Sequence, residues 1–247
     1  MTDSPLRVLA IAAHPDDLEF GVAGTIALWA DQGAEITWVM VTNGAAGNNE
    51  PGADLAALRL TRREETLASA AICGVKDVRF LDYADGTLTP SLELRKDLTR
   101  IIREVRPNRV ILQDPTQVFV GNFYINHPDH RASGEAALYA VFPSAGTRPI
   151  FPELLAEGYE PHDVDELWID LTEKPDTWVD ITTTMDRKIA ALLCHKSQVG
   201  EDVIPMIKQW AADAGKDQGY AFAEGFRVMK LKQEPPTAEA ANPTSQN

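Results

Sequence analysis

Over its first half the chain alternates between two hydrophobic periods, and no other feature restricts its fold as much. RVLAIAA (residues 7–13), EITWVMVTNG (35–44), VRFLDY (78–83) and RVILQDP (109–115) are short, nearly uninterrupted apolar runs that read as strands. The stretches between them carry helical spacing: GVAGTIALWADQG with Gly33 placed as a C-cap, LAALRLTRREETLASAAICG ending at Gly74, and SLELRKDLTRIIREVRP closed by Pro107. Strands without a polar face need cover on both sides, which alternating βα units supply. The expected class is therefore α/β, a Rossmann-like three-layer sandwich with a mostly parallel sheet. Such sheets bind ligands beyond the carboxyl ends of their strands, so the active site is expected at that edge. HPDD, TNGAAGNNE, LDYADG and DPTQVF each follow a strand and all fall there.

Past residue 142 the pattern loosens. A Pro- and Gly-rich passage from Phe142 to Pro161 precedes two strand candidates, DELWIDL and WVDIT, a helix MDRKIAALLCHKS and a last strand FRVMKL. With no repeat and no long internal linker, residues 1–233 read as a single α/β domain, and the polar, Pro-rich end places a disordered tail over 234–247. Cys73 and Cys194 each lie in an apolar helical pattern and read as buried free thiols rather than a disulfide framework. The 37 acidic against 23 basic residues give a net charge of −14, which argues against nucleic acid as a partner. No run approaches the roughly 20 apolar residues of a membrane span. MTDSPLRV lacks the basic and then apolar layout of a signal peptide, which points to the cytoplasm.

Chemistry enters where the first strand stops. LAIAAHPDDLEFG places His14 and Asp17 three apart, and INHPDHRASGEAALYA repeats the theme with His127, Asp129 and His130 ahead of a helix. One HPD triplet at a strand end is readily a helix cap, because Asp caps well and Pro suits the first turn. Two such triplets, each between a strand and a helix, point to a site. If the fourth strand neighbours the first, the clusters meet above the sheet and offer a zinc ion two nitrogens and one carboxylate oxygen, with a fourth position open to water. An open site is the catalytic kind, since the ion lowers the pKa of its water toward ~7. Adjacent residues point in different directions, so one of Asp16 and Asp17 is left free as a general base. Likewise one of His127 and His130 is left to hydrogen-bond the oxygen that becomes negative, with Asp129 placed to hold that imidazole charged. His162 and His195 read as a loop residue and a helix-end residue that favours the dipole.

AHPDD after the first strand, the late HPDH and the RREET between them resemble the PIG-L or LmbE-like deacetylases, zinc-dependent N-acetylglucosaminyl deacetylases. The resemblance covers residues 7–142. It implies His14, Asp17 and His130 as zinc ligands, Asp16 as general base, and His127 as the stabiliser of the oxyanion, oriented by Asp129. It also implies that Arg62, with Glu65 behind it, holds the sugar, the alternative being an exposed helix arginine paired at i, i+3. Asp85 in YADGTL is a weaker candidate for a sugar hydroxyl, because Asp-Gly is also a common turn. Some relatives place a mobile tyrosine two residues before the first histidine of HPDH; that position is Ile125 here, and Tyr124 is one step off. Relatives are often trimers or hexamers, so a homo-oligomer belongs to the expectation. Iron(II) and other divalent ions also suit a site of two histidines and one carboxylate.

These features describe a metal-dependent hydrolase that removes an N-acyl group, acetyl foremost, from an amino sugar or related small molecule, using metal-bound hydroxide and an Asp general base. The alternatives are an amidase for a larger amide such as a thiol conjugate, and a non-catalytic Rossmann-like ligand-binding protein. Against a dinucleotide binder, the first βα turn reads HPDDLEFG rather than G-x-G-x-x-G, and its carboxylates would repel a pyrophosphate.

Overall fold

The computed structural model describes residues 4–232, and the two hydrophobic periods sort there into strands and helices. β1 (Arg7–Ala12) leads through α1 (Asp17–Gly21) and α2 (Ala23–Asp31) to β2 (Glu35–Thr42), followed by α3 (Leu55–Cys73), β3 (Asp77–Tyr83), α4 (Leu92–Val105) and β4 (Arg109–Gln113). A short hairpin, β5 (Phe119–Val120) and β6 (Tyr124–Ile125), precedes α5 (Pro128–Tyr139) and a π-helical segment, Ala140–Ala145. Then come α6 (Glu153–Ala156), β7 (Glu166–Asp170), β8 (Thr177–Asp180), α7 (Met185–Leu192), α8 (Ile204–Lys216) and β9 (Ala223–Lys230).

The main sheet has seven strands in the order β3-β2-β1-β4-β7-β9-β8. The first five run parallel, and β9 lies antiparallel to both its neighbours. β1 pairs directly with β4, Val8 against Arg109 through Ile11 against Leu112. The strand order therefore reverses between them, and their carboxyl ends form the crevice where α/β sheets bind ligands.

Alternation along β1 explains the layers. Leu9 and Ile11 join Leu94, Leu98 and Ile102 of α4 on one face, while Val8 and Ala10 join Ile26 of α2, Cys73 of α3 and Ala191 of α7 on the other. Each fully buried Leu or Ile of these layers is worth about 1.5–3 kcal/mol before chain entropy is counted. Helix ends follow the local chemistry as well. Asp54 and Ser91 cap α3 and α4 with side-chain oxygens, and Gly74 ends α3 at φ 82°.

Two glycines set close approaches that matter for the site. A Cβ on Gly134 would fall 2.2 Å from the Gln113 carbonyl oxygen, so α5 sits directly on the end of β4 only because that residue has no side chain. At Gly21 a Cβ would fall 2.5 Å from Asp170 Oδ2, which brings α1 against the end of β7.

The structure departs from the expected pattern in several places. The helix expected over GVAGTIALWADQG begins earlier, at Asp17, and is broken at Val22, whose φ of −134° is not helical. α7 ends at Leu192, so Cys194 lies in the turn beyond it and is half-buried, whereas Cys73 is buried in α3; both thiols are free. The β5–β6 hairpin and α8 add to the expected elements. The tail expected over 234–247 lies outside the described residues. No helix among the described residues is long and apolar enough to cross a membrane.

Candidate active site

His14 follows β1 at the sheet's carboxyl edge, and the turn behind it is tightly held. Its amide N–H donates to Asp17 Oδ2 at 2.7 Å, which folds HPDD back onto itself at the start of α1. Asp16 sits at φ 96°, a left-handed conformation that costs a non-glycine residue about 1–3 kcal/mol. Buried Arg62 of α3 offsets that strain by donating to Asp16 Oδ2 at 3.1 Å and to the carbonyls of Pro15 and Gly44.

The second cluster arrives on the first turn of α5. His127 is its N-cap, with Nδ1 accepting the Asp129 amide N–H at 3.2 Å and Pro128 opening the helix. One turn on, His130 Nε2 lies 3.1 Å from Asp17 Oδ1, while His14 Nδ1 lies 3.5 Å from Asp17 Oδ2. The three imidazole rings stand within 4.7–5.4 Å of one another, centre to centre. His14 Nε2 turns the other way, 3.1 Å from Asp85 Oδ1 and 3.3 Å from Asp129 Oδ2. Asp129 in turn accepts N–H bonds from Gly86 and Leu88, and Asp85 accepts one from Ala46. The segments following β1, β2, β3 and β4 thus meet at one point.

Two overlapping groups among the described residues could hold a metal ion: His14, His127 and His130, and His14, Asp85 and Asp129, the ligand atoms in each lying within 4.8 Å of one another. Asp17 faces both His14 and His130 with separate oxygens. Imidazole nitrogens grouped around carboxylate oxygens are a donor set suited to zinc and similar divalent ions.

Burial sharpens the electrostatics. Burial pushes the Asp16 carboxyl up to about 7, Arg62 holding it down and Asp17 adding to the rise. Asp17 goes the opposite way: the His130 and His14 charges outweigh burial and hold it well below the usual carboxylate range. Burial alone would lower the His14 imidazole, but Asp17 and the hydrogen bonds to Asp129, Asp17 and Asp85 raise it to about 12. His127 is lowered by burial and by the charge on His14.

The PIG-L family profile, described as GlcNAc-PI de-N-acetylase, matches residues 9–141, which contain both clusters. The chain belongs to the PIG-L family. It is 36% identical over 227 residues to the diacetylchitobiose deacetylase of Thermococcus kodakarensis, an alignment covering 90% of this chain and 83% of that protein. It is 30% identical to a probable N-acetyl-alpha-D-glucosaminyl L-malate deacetylase 2 of Bacillus anthracis, covering 92% of this chain and 96% of that one. Among solved structures, the N,N'-diacetylchitobiose deacetylase of Pyrococcus horikoshii with its inhibitor MPG matches with a TM-score of 0.84 and 33% identity, over 95% of this chain and 88% of that one.

Within this PIG-L chain the residues expected at the site divide into those that meet and those that face elsewhere. His14, Asp16, Asp17, His127 and His130 converge. Arg62 does not present itself to a sugar: its side chain is 5% exposed and its donors go to Asp16, Pro15 and Gly44. Glu65 accepts from the Ser197 amide and hydroxyl instead of pairing with Arg62. The Asp129 carboxylate hydrogen-bonds His14 and the loop after β3, and it is the Asp129 backbone N–H, not the carboxylate, that bonds His127. Asp85 likewise faces His14. Tyr124 and Ile125 form β6, both exposed.

Several residues lay beyond the reach of spacing. His195, expected at a helix end, lies just past the end of α7 and is fully buried, its Nε2 2.8 Å from Glu19 Oε1, an oxygen that also accepts the Ser69 hydroxyl. Asp170, at the end of β7, is buried against α1, and burial pushes its carboxyl up to about 7. Asn126, immediately before HPDH, meets His130 Nδ1 at 3.0 Å.

Proposed function

We propose that this PIG-L protein is a zinc-dependent N-deacetylase that cleaves the acetamide of an N-acetylated amino sugar, with a GlcNAc-containing disaccharide or conjugate as substrate. One observation carries this reading: His14 and His130 address the two oxygens of Asp17 beside an Asp16 carboxyl that burial places near neutrality. His14, Asp17 and His130 would hold the ion. When bound there, a divalent cation supplies a Lewis acid that acidifies water and polarises an amide carbonyl.

The chain's own groups do the remaining work. Asp16 accepts a proton at its carboxylate, and a base titrating near the working pH is suited to both taking that proton and giving it up. Arg62 keeps Asp16 in place and partly ionised, as a positioning residue. His127 Nδ1 accepts a backbone N–H, so the neutral ring carries its proton on Nε2. That Nε2–H donates to the carbonyl oxygen as negative charge gathers on it. Asp129 and Asp85 hold His14 from its far side.

The relatives support this substrate class, one being a diacetylchitobiose deacetylase and the other a probable N-acetyl-alpha-D-glucosaminyl L-malate deacetylase. The test is amine release from N-acetylglucosamine, from N,N'-diacetylchitobiose and from a bulky thiol-conjugate amide. Release from the disaccharide above the other two supports the reading. Turnover of the bulky amide alone would replace it with the amidase alternative.

A further inference from the structure

We propose that Asn126 is a positioning residue that decides which nitrogen of His130 faces the metal, and so sets the metal affinity. The proposal rests on His130 being a ligand as described above. Asn126 Nδ2 donates to the Gln117 carbonyl at 2.8 Å, and Asn126 Oδ1 lies 3.0 Å from His130 Nδ1. A backbone carbonyl can only accept, so the amide's NH₂ end must be the one that faces Gln117. The amide orientation is therefore fixed by its partners. The end facing His130 is then an oxygen, with no proton to offer.

An acceptor at that point requires the proton on His130 Nδ1. The neutral ring then has its lone pair on Nε2, the atom 3.1 Å from Asp17 Oδ1. Asn126 is itself anchored, since its amide N–H donates to the Val118 carbonyl at 2.9 Å. Both backbone and side chain of Asn126 are thus tied to residues 117–118, just before β5, so the two ends of the hairpin are joined beside the ring.

The other ligand imidazole is set in the opposite sense. His14 Nε2 faces the Asp85 and Asp129 carboxylates, which leaves Nδ1 toward Asp17. As metal ligands the two rings would be opposite tautomers, each with its lone pair on the side of Asp17. Outer hydrogen bonds of this kind typically matter by 10–100-fold in metal affinity. Two carboxylates do this for His14, and a neutral amide does it for His130 where buried Asp170 already adds an acid.

The experiment is zinc affinity by competition with a chromophoric chelator for wild type, Asn126→Leu and Asn126→Asp, with thermal unfolding of the metal-free proteins alongside. Asn126→Leu keeps the volume and removes the acceptor; its zinc affinity should fall about 10–100-fold, with metal-free unfolding little changed. Asn126→Asp restores an acceptor and should recover affinity to within a few-fold of wild type. Leu and wild type binding zinc equally, or Asp as weak as Leu, would overturn the proposal. A wild type that binds no zinc would instead overturn the site reading beneath it. A measurement on wild type alone guards against misfolded variants: in ¹⁵N-histidine-labelled, zinc-loaded protein, His130 should carry its proton on Nδ1, and a proton on Nε2 would contradict the assignment.

Discussion

Arg62 reaches across from α3 to donate to the carboxylate of Asp16 at 3.1 Å, and in doing so becomes buried. An arginine on RREET that binds sugar would point outward. This one instead neutralises the carboxylate that the turn has forced into a left-handed backbone and a desolvated position.

Arg62→Ala should therefore lower kcat far more than it raises KM. Arg62 pulls the Asp16 value down against burial, so its loss moves that value up and shifts the acidic limb of the kcat profile to higher pH. A rise in KM with an unmoved pH profile would return Arg62 to the sugar.

Asp16→Asn should keep the metal and lose a factor of ~10² to 10⁴ in turnover, the usual reach of general base catalysis. Metal content and kcat measured on the same sample check this. Loss of metal together with activity would make Asp16 a ligand instead.

Asp170→Asn should show a pH-dependent gain in stability of the metal-free protein. Asp170 Oδ1 has no hydrogen-bond partner among the described residues, and burial first, then Asp17, raises the carboxyl to about 7. Below the unfolded value of about 4, both states hold the proton. Between there and about 7 the unfolded chain releases it while the folded protein keeps it, so stability falls as pH rises through that window and stays lower above it. Asparagine cannot ionise and removes the fall. Urea midpoints at acid and alkaline pH should diverge from wild type only at the higher value; an equal offset at both would count against a buried proton.

Gly134→Ala should destabilise the fold by about 1–3 kcal/mol despite alanine's better helix propensity, since the new Cβ meets the Gln113 carbonyl oxygen. Because α5 carries His127 and His130, metal affinity should weaken with it. Urea denaturation that finds the variant as stable as wild type would contradict the close approach.

What could be read from the residues, and what could not, divides along local and long-range chemistry. β1, β2 and β4 are legible because strands buried on both faces must be apolar throughout, and two HPD triplets beyond adjacent strands carry their meaning in spacing alone. The direction of Arg62 is not legible, since helical periodicity places it on α3 without saying that the HPDD turn needs a cation beneath it. The partners of His195 and Asp170 lie far back along the chain in α1, and no local pattern marks such pairs. β5 and β6 are two residues each, too short for alternation to show. Asp129 illustrates a third case: its position beside His127 in sequence suggested a partner, but the first turn of a helix aims its carboxylate at His14.

The most direct test of the central claim is the metal content of the purified protein by elemental analysis, paired with amine release from N,N'-diacetylchitobiose before chelation, after it, and after zinc is restored. The account predicts near one zinc per chain, release that stops on chelation and release that returns with the metal. A protein that holds no metal under any preparation, or that releases amine undiminished by chelation, would contradict it.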